Sequence, residues 1–139
     1  MVGASVTNQN RKPLLRNLKR ILRRALGFRR VRIDGVWIDL RSIKSRRVRS
    51  LLLKEVYEFD ERLLIKEFVK DDDVVVEIGA GIGLIGLICA NIARNGAVHS
   101  FEANAVLADV IKANHGINIH TPGITMMAVT RAGGTVKFA

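Results

Sequence analysis

The first regular pattern in the chain is a helical one near its N-terminus. Between Arg11 and Leu26 the apolar positions recur at helical spacing and form one stripe, opposite a face of basic residues. Gly27 is expected to end this helix. The pattern predicts a basic amphipathic helix over residues 11–26. Its apolar stripe consists of Leu14, Leu15, Leu18, Ile21, Leu22, Ala25 and Leu26, and its basic face of Arg16, Lys19, Arg20, Arg23 and Arg24.

Three roles are open for this helix. It could dock its leucines on the folded domain and leave its arginines in water. It could lie on an anionic membrane surface, as basic amphipathic helices do. It could also be a transit peptide, because it is rich in Arg and free of acidic residues, although it is poor in Ser.

A shorter period follows in residues 31–40. Val31 and Ile33 precede Gly35, and Val36 and Ile38 follow it, so the segment predicts a short β-hairpin with a turn at Gly35. Trp37 is expected to pack rather than to bind a ligand. Residues 41–49 form a basic loop or the start of a helix, in solvent, and residues 60–69 show the spacing of a further helix.

From residue 73 onwards apolar strands alternate with helices. This alternation predicts an α/β fold, part of a Rossmann-like doubly wound parallel sheet with helices on both faces. "RAGGTVKFA" (131–139) adds a Gly-Gly turn and one more strand. The expected elements are strand 73–78, helix 83–94, strand 97–102, helix 104–115 and strand 123–129.

Charge divides the chain into two parts. The 139 residues are enough for one domain, and the net charge is +10. Residues 1–33 contain ten Lys and Arg and no acidic residue, whereas residues 34–139 contain thirteen charges of each sign. We therefore expect a basic leader (1–33) before a neutral domain (34–139). A specific nucleic-acid partner is not expected, because the basic residues are not spread over the folded part.

The remaining composition points to a cytoplasmic chain, and peripheral contact with a membrane stays open. Cys89 is the single cysteine, which excludes an internal disulfide and a cysteine-based metal site. No apolar run approaches the roughly 18 residues of a transmembrane helix. The acidic run 71–73 is expected to be a solvated turn, and no metal site is predicted.

The segment "VVVEIGAGIGLIG" (74–86) contains two overlapping glycine patterns. Glu77 followed by Gly79, Gly81 and Gly83 is an acidic residue with GxGxG, as in sites for S-adenosylmethionine. Gly81, Gly83 and Gly86 form GxGxxG, as in dinucleotide sites, and Glu102 then lies about 20 residues on, as that pattern requires. Either way, glycines at the end of a strand let the backbone approach a ligand closely.

Electrostatics favours the first pattern. In the dinucleotide pattern Glu77 would be an ionised carboxylate within a central strand, and the sequence offers it no evident partner. In the other pattern Glu77 ends the strand and faces the ammonium group of a methionine moiety, while Glu102 accepts hydrogen bonds from both ribose hydroxyls. Gly86 is compatible with close helix–strand packing alone.

With these residues, the chain from about Gly35 to Ala139 resembles the FkbM family of S-adenosylmethionine-dependent methyltransferases. The resemblance rests on "YEFDERLLIKEFVKDDDVVVEIGAGIG" (57–83), "AVHSFEAN" (97–104), "IKANHGIN" (111–118, with Asn114 and Asn118 at the family's spacing) and "MMAVTRAGGTVKF" (126–138). It implies an enzyme that transfers methyl groups to hydroxyl oxygens, often of sugars or glycolipids. It also implies a cofactor site formed by Glu77, Gly79, Ala80, Gly81, Gly83, Glu102, Asn104, Ala128, Val129, Tyr57 and Glu58.

Within that site the resemblance gives each group a role. Glu77 and the glycines would hold the methionine part, and Glu102 the ribose with Asn104 beside it. Ala128 and Val129 would lie near the adenine. Tyr57 and Glu58 would close the pocket from the N-terminal side.

The chain departs from the family in two respects. Gly81 replaces a common Asn, Ala103 and Ala105 replace prolines, and Thr130-Arg131 stands where an acidic residue is common. Only the first three of seven main strands are expected, together with the added strand. The acceptor-side segment is missing, no catalytic base can be named, and strand 74–78 would form an open apolar edge that invites pairing with another chain.

Three functions therefore remain. The leading one is the cofactor-binding portion of an O-methyltransferase, truncated before its acceptor-side strands. The second is a fragment of a dinucleotide-binding oxidoreductase. The third is a non-catalytic remnant that binds a membrane or a partner through residues 11–26.

Overall fold

A computed structural model of the chain describes residues 11–131, 133 and 134. The C-terminal strand expected within residues 131–139 lies outside them. The elements are α1 (Arg11–Ala25), β1 (Arg30–Ile33), β2 (Val36–Asp39), α2 (Arg46–Leu53), α3 (Phe59–Phe68), β3 (Val74–Ile78), α4 (Leu84–Ile92), β4 (Ala97–Phe101), a short 3₁₀ turn (Ala105–Leu107), α5 (Ala108–His115) and β5 (Gly123–Thr125).

The predicted parallel sheet is present, in the order β3–β4–β5. Val74 pairs with Ala97 and Ile78 with Phe101, so β3 and β4 run side by side over their full length. β5 is shorter than predicted and pairs only with the second half of β4. β3 lies at an edge of the sheet, as the sequence predicted, and the carboxyl ends of β3 and β4 meet at one side.

Helix α4 packs on one face of this sheet. Val75 on β3 and Val98 on β4 contact the cluster formed by Cys89, Ala90 and Ala93 of α4. The alternate residues of β3 point away, and Val74, Val76 and Ile78 are between 61% and 72% exposed. The expectation that helices cover both faces is therefore wrong for β3.

The predicted β-hairpin pairs Val31 with Ile38 and turns at Asp34 and Gly35. Its apolar side chains join the main core with α2 and α4, where Ile38, Leu52 and Leu84 are completely buried. Trp37, which was expected to pack, is instead 42% exposed. It lies beneath the guanidinium of Arg32, because alternate residues of a strand face opposite sides.

Two asparagines fasten this hairpin to α5 and the segment after it. The fully buried Asn114 accepts a hydrogen bond from the Asp39 N–H at 2.9 Å and donates one to the Ile82 carbonyl at 2.7 Å. Asn118 accepts from the Trp37 N–H and donates to the Trp37 carbonyl. Both residues therefore satisfy the backbone of β2 where a neighbouring strand would otherwise do so.

Helix α1 is attached to the domain through its basic face, which is the opposite of the docking alternative. Its basic face contacts the domain: Arg23 and Lys19 bind the Glu55 carboxylate at 2.6 and 3.2 Å, and Arg16 stacks on the Phe59 ring. Its apolar stripe faces outward, with every leucine and Ile21 more than half exposed. The docking alternative, in which the leucines pack on the domain and the arginines remain in water, is therefore excluded. Glu55, in the segment after α2, and the Phe59 ring, on α3, contact the basic face instead.

Candidate cofactor site

The loop between β3 and α4 is a run of left-handed glycines. Gly79, Gly81 and Gly83 have φ angles of 88°, 57° and 82°. Residues with a side chain adopt this conformation only at a cost, so the three alternate glycines are required by the turn itself. Since β3 ends at Ile78 and runs directly into Gly79, the geometry favours the GxGxG pattern that begins at Gly79.

Gly86 has a different role. It lies inside α4, and a Cβ atom placed on it would come within 2.5 Å of Glu77 Oε2 and of Ser100 Oγ. A glycine is therefore needed for α4 to approach the sheet, which is the packing role expected for it from sequence.

The Glu77 side chain points toward α4. Its carboxylate accepts a 3.1 Å hydrogen bond from the Gly86 N–H and a 2.5 Å bond from the Ser100 hydroxyl. Burial raises the pKa of Glu77 above its usual value, against the lowering effect of these two donors. The sequence argument that this carboxylate would lack a partner within a strand is thus wrong. Each of its oxygens accepts one of these hydrogen bonds, and its expected contact with the ammonium group of a ligand stays a prediction.

Glu102 holds the glycine loop. It is 8% exposed, and its two oxygens accept hydrogen bonds from the Gly81 N–H and the Asn104 N–H, both at 2.7 Å. The Asn104 side chain in turn accepts a hydrogen bond from the Val106 N–H at the start of the 3₁₀ turn. The carboxylate therefore connects the ends of β3 and β4.

Tyr57 lies beside the glycine loop, and Glu58 follows it in the chain. The Tyr57 hydroxyl lies 3.8 Å from the position that a Cβ on Gly81 would occupy. Burial raises the pKa of Tyr57, and the neighbouring Glu58 raises it further. Glu58 has a left-handed φ of 47°. Burial raises its pKa to about 7, and the charge of Glu77 adds to the effect.

These groups make the loop an acidic site. Glu58 and Glu77 interact through their charges, and so do Glu77 and Glu102. Among the described side chains the ion pairs involve Glu55, Asp39 and Asp34, and none includes a carboxylate of the loop. The charge of Arg62 offsets only part of that of Glu58. A site with this excess of negative charge favours a cationic ligand over a pyrophosphate.

Three predicted site residues remain, namely Ala80, Ala128 and Val129. Ala80 is buried within the loop. Ala128 and Val129 lie in the irregular segment after β5, and no hydrogen bond in the described part of the chain joins them to the glycines.

His115 was missed from the sequence. Its Nε2 atom is buried without a hydrogen-bond partner among the described residues and lies 3.5 Å from the Cβ position of Gly83. Burial lowers its pKa. A lone His at the end of a helix carries no sequence pattern that would have identified it.

Two further findings concern the described residues as a whole. No group of three or more His, Cys, Asp or Glu among them is arranged to hold a metal ion. No helix among them is both long and apolar enough to cross a membrane.

Comparisons by sequence and by structure give different results. No protein-family model matches the sequence, so the FkbM resemblance has no support from that comparison, and no curated protein matches it significantly. Solved structures do match. M. jannaschii TYW2 in complex with AdoMet aligns with a TM-score of 0.51 at 20% identity over 71% of this chain. P. horikoshii TYW2 in complex with MeSAdo aligns at 0.50, with 16% identity over 84% of this chain.

A third match is the Pyrococcus horikoshii protein PH0793, with a TM-score of 0.53 and 18% identity over 84% of this chain. At these identities the likeness demonstrates the fold: this chain is an α/β protein with part of the Rossmann-like fold of those structures. It spans between 42% and 50% of their lengths.

Proposed function

We propose that this chain is the cofactor-binding portion of an S-adenosylmethionine-dependent methyltransferase. The observation that carries the proposal is the acidic site around a loop of three left-handed glycines. S-adenosylmethionine carries a sulfonium and an ammonium charge and no phosphate, whereas a dinucleotide carries a pyrophosphate. Two structures with the same fold were obtained with AdoMet and with MeSAdo, which supports the proposal.

The residues fit this cofactor in a specific way. The backbone at Gly79, Gly81 and Gly83 leaves room for close contact with the methionine part. Each Glu102 oxygen accepts one backbone hydrogen bond and retains a further lone pair for a ribose hydroxyl. Glu58 and Glu77 supply negative charge for the ammonium group, and each Glu77 oxygen, like those of Glu102, accepts one hydrogen bond and retains a further lone pair.

The finer assignments rest on the FkbM resemblance alone. These are Asn104 beside the ribose, Ala128 and Val129 near the adenine, and a hydroxyl of a sugar or glycolipid as the acceptor. The cofactor supplies an electrophilic methyl group when it is bound. The acceptor oxygen must be aligned with it and must lose a proton, and the described residues offer no assigned base for that step.

Completion of the site by further protein segments is part of the proposal. The chain covers at most half the length of the solved structures that it matches, and β3 is an exposed apolar edge. An exposed edge of this kind can accept another strand. We infer that the missing acceptor side is contributed there, by more of the same protein or by a partner chain.

Calorimetric titration with S-adenosylhomocysteine, in parallel with NAD, tests the cofactor. We expect saturable binding of S-adenosylhomocysteine and none of NAD. Binding of NAD alone would contradict the proposal in favour of the dinucleotide pattern. Binding of neither would mean that the loop is retained without its function.

A second candidate function is contact with an anionic membrane through α1. The observation that favours it is the outward-facing apolar stripe, in which Leu14, Leu18 and Leu22 are 72%, 51% and 51% exposed. Exposed apolar stripes on amphipathic helices are typical of interfacial membrane contact. Flotation with anionic vesicles should be lost in Leu18→Glu/Leu22→Glu. It should be retained in Leu64→Glu, which changes an exposed leucine on α3. Flotation that survives the double substitution would exclude this role.

A further inference from the structure

A polar cavity that is separate from the glycine loop lies between α1, α2 and the end of β2. It has a volume of about 520 Å³, within the range of small-molecule sites. Six arginines line it, together with the apolar surfaces of Phe28, Leu40 and Leu53. These arginines are Arg20, Arg23, Arg29, Arg41, Arg46 and Arg49.

The positive charge of this cavity is only partly neutralised. Arg23 is paired with Glu55 and Arg41 with Asp39, at 2.6 Å in both cases. Within the described part of the chain, the other four arginines form no ion pair. The Nε atom of Arg20 is buried and has no hydrogen-bond partner there either. This N–H is left without an acceptor inside the chain, on a side chain that lines the cavity.

The positions of Arg46 and Arg49 also favour an anion in this cavity. Both lie in the first half of α2, which has no acidic residue in its first turn. Positive charge at the N-terminal end of a helix opposes the helix dipole, and the neighbouring arginines repel one another. The fold maintains this arrangement at a cost, which a multiply charged anion in the cavity would remove.

We propose that this cavity is a binding site for a ligand that carries two phosphate groups. Each phosphate monoester has a charge of about −1.5 to −2 near neutral pH, so two of them balance the four unpaired guanidinium groups. Arginine is suited to the task because its planar fork binds phosphate oxygens through two N–H groups. The cavity exceeds the size of the phosphates alone, and its apolar wall of Phe28, Leu40 and Leu53 accommodates an organic group attached to them.

Inorganic pyrophosphate is the probe that tests this site on the full chain. We expect saturable calorimetric binding at constant ionic strength, and none of sulfate under the same conditions. Arg46→Gln/Arg49→Gln should weaken pyrophosphate binding by about tenfold or more, since charge-assisted contacts are lost. Arg47→Gln is the matched control, because Arg47 lies on the same helix but does not line the cavity, and it should bind within about twofold of the original chain.

The overturning results are equally specific. Three results would each contradict a phosphate site in this cavity: an absence of saturable binding, equal binding of sulfate, or an equal loss of affinity in Arg47→Gln. Circular dichroism and the thermal midpoint of Arg46→Gln/Arg49→Gln verify that its fold is intact. Because this cavity is separate from the glycine loop, S-adenosylhomocysteine binding should be unchanged in the double variant.

A second arm identifies the source of the phosphates. Phosphatidylcholine vesicles with and without phosphatidylinositol 4,5-bisphosphate, whose headgroup carries two phosphate monoesters, are compared for the original chain and for Arg46→Gln/Arg49→Gln. Loss of the bisphosphate-dependent binding in the variant would identify a lipid headgroup as the natural source. Equal vesicle binding by both chains, with pyrophosphate binding lost in the variant, would identify a ligand in solution.

Discussion

The backbone N–H of Gly81 donates a 2.7 Å hydrogen bond to the buried carboxylate of Glu102, 21 residues later in the chain. The bond joins the loop after β3 to the end of β4. The carboxylate that is proposed to bind the ribose therefore also sets the conformation of the loop that is proposed to bind the methionine part. Such preorganisation reduces the ordering that ligand binding would otherwise require.

The first prediction follows from this bond. Glu102→Gln keeps the size of the side chain but replaces one acceptor oxygen by a donor, so either the Gly81 or the Asn104 N–H loses its partner. We expect the affinity for S-adenosylhomocysteine, measured by calorimetry, to fall by about tenfold or more. Glu67→Gln, an exposed position on α3, is the control. Unchanged affinity in Glu102→Gln would remove Glu102 from the site.

The second prediction concerns the contact between α4 and the sheet. Gly86→Ala places a Cβ 2.5 Å from Glu77 Oε2 and Ser100 Oγ, so α4 must move or the hydrogen bond between these two side chains must break. We expect the free energy of unfolding in urea to fall by about 2 kcal/mol. Gly133→Ala, where nothing lies within 4 Å of the new Cβ, should have little effect. Equal stability of the two variants would contradict the tight packing at Gly86.

Periodicity was sufficient to predict most of the elements that position the site. The strand predicted at residues 73–78, the helix at 83–94 and the strand at 97–102 depend on local apolar patterns. All three are confirmed, at Val74–Ile78, Leu84–Ile92 and Ala97–Phe101. The hairpin at residues 31–40 is confirmed for the same reason.

Side-chain partners across long distances in the sequence could not be predicted in this way. Glu77 finds Ser100 on the neighbouring strand, Asn114 finds the backbone of β2, and Arg23 of α1 finds Glu55. Each pairing depends on tertiary packing, which the periodicity of one segment does not encode. The orientation of α1 was open for the same reason, because an amphipathic pattern defines two faces but not which of them meets the domain.

The third prediction uses the pKa of Glu58. Its pKa rises from the ordinary 4.5 to about 7 in the folded chain, chiefly through burial. The folded state therefore binds this proton more tightly than the unfolded state, and the contribution of Glu58 to stability falls as the pH rises from about 4.5 to about 7. Glu58→Gln should remove this contribution. The difference in unfolding free energy between the two chains should consequently change across that window and be constant above it.

Urea unfolding at several pH values measures this difference. His115 has the opposite effect, because its lowered pKa makes stability increase with pH, so the comparison must be made between the two chains and not within one. A difference that stays constant between pH 5 and pH 7 would show that Glu58 titrates normally.

The fourth prediction concerns the attachment of α1. Glu55 binds both Lys19 and Arg23, and Arg23 also donates to the Leu53 carbonyl. Partly exposed ion pairs contribute about 0.5 kcal/mol each, so Glu55→Gln should loosen the helix without unfolding the domain. Amide hydrogen exchange in α1 should become several-fold faster, with no change in β4. Unchanged exchange in α1 would show that the stacking of Arg16 on Phe59 is sufficient to hold it.

The last prediction separates the two asparagines that attach the hairpin to α5. Asn114 is fully buried, so Asn114→Ala leaves the Asp39 N–H and the Ile82 carbonyl without partners and without access to water. Its free energy of unfolding should fall by about 2 to 4 kcal/mol, since each unsatisfied buried group costs about 1 to 3 kcal/mol. Asn118 binds the backbone of Trp37 in a more exposed position, where water can replace it, and Asn118→Ala should cost about 1 kcal/mol. Equilibrium unfolding of both variants measures the two decreases in unfolding free energy. A decrease in Asn118→Ala that equals or exceeds the one in Asn114→Ala would show that burial does not set the strength of this attachment.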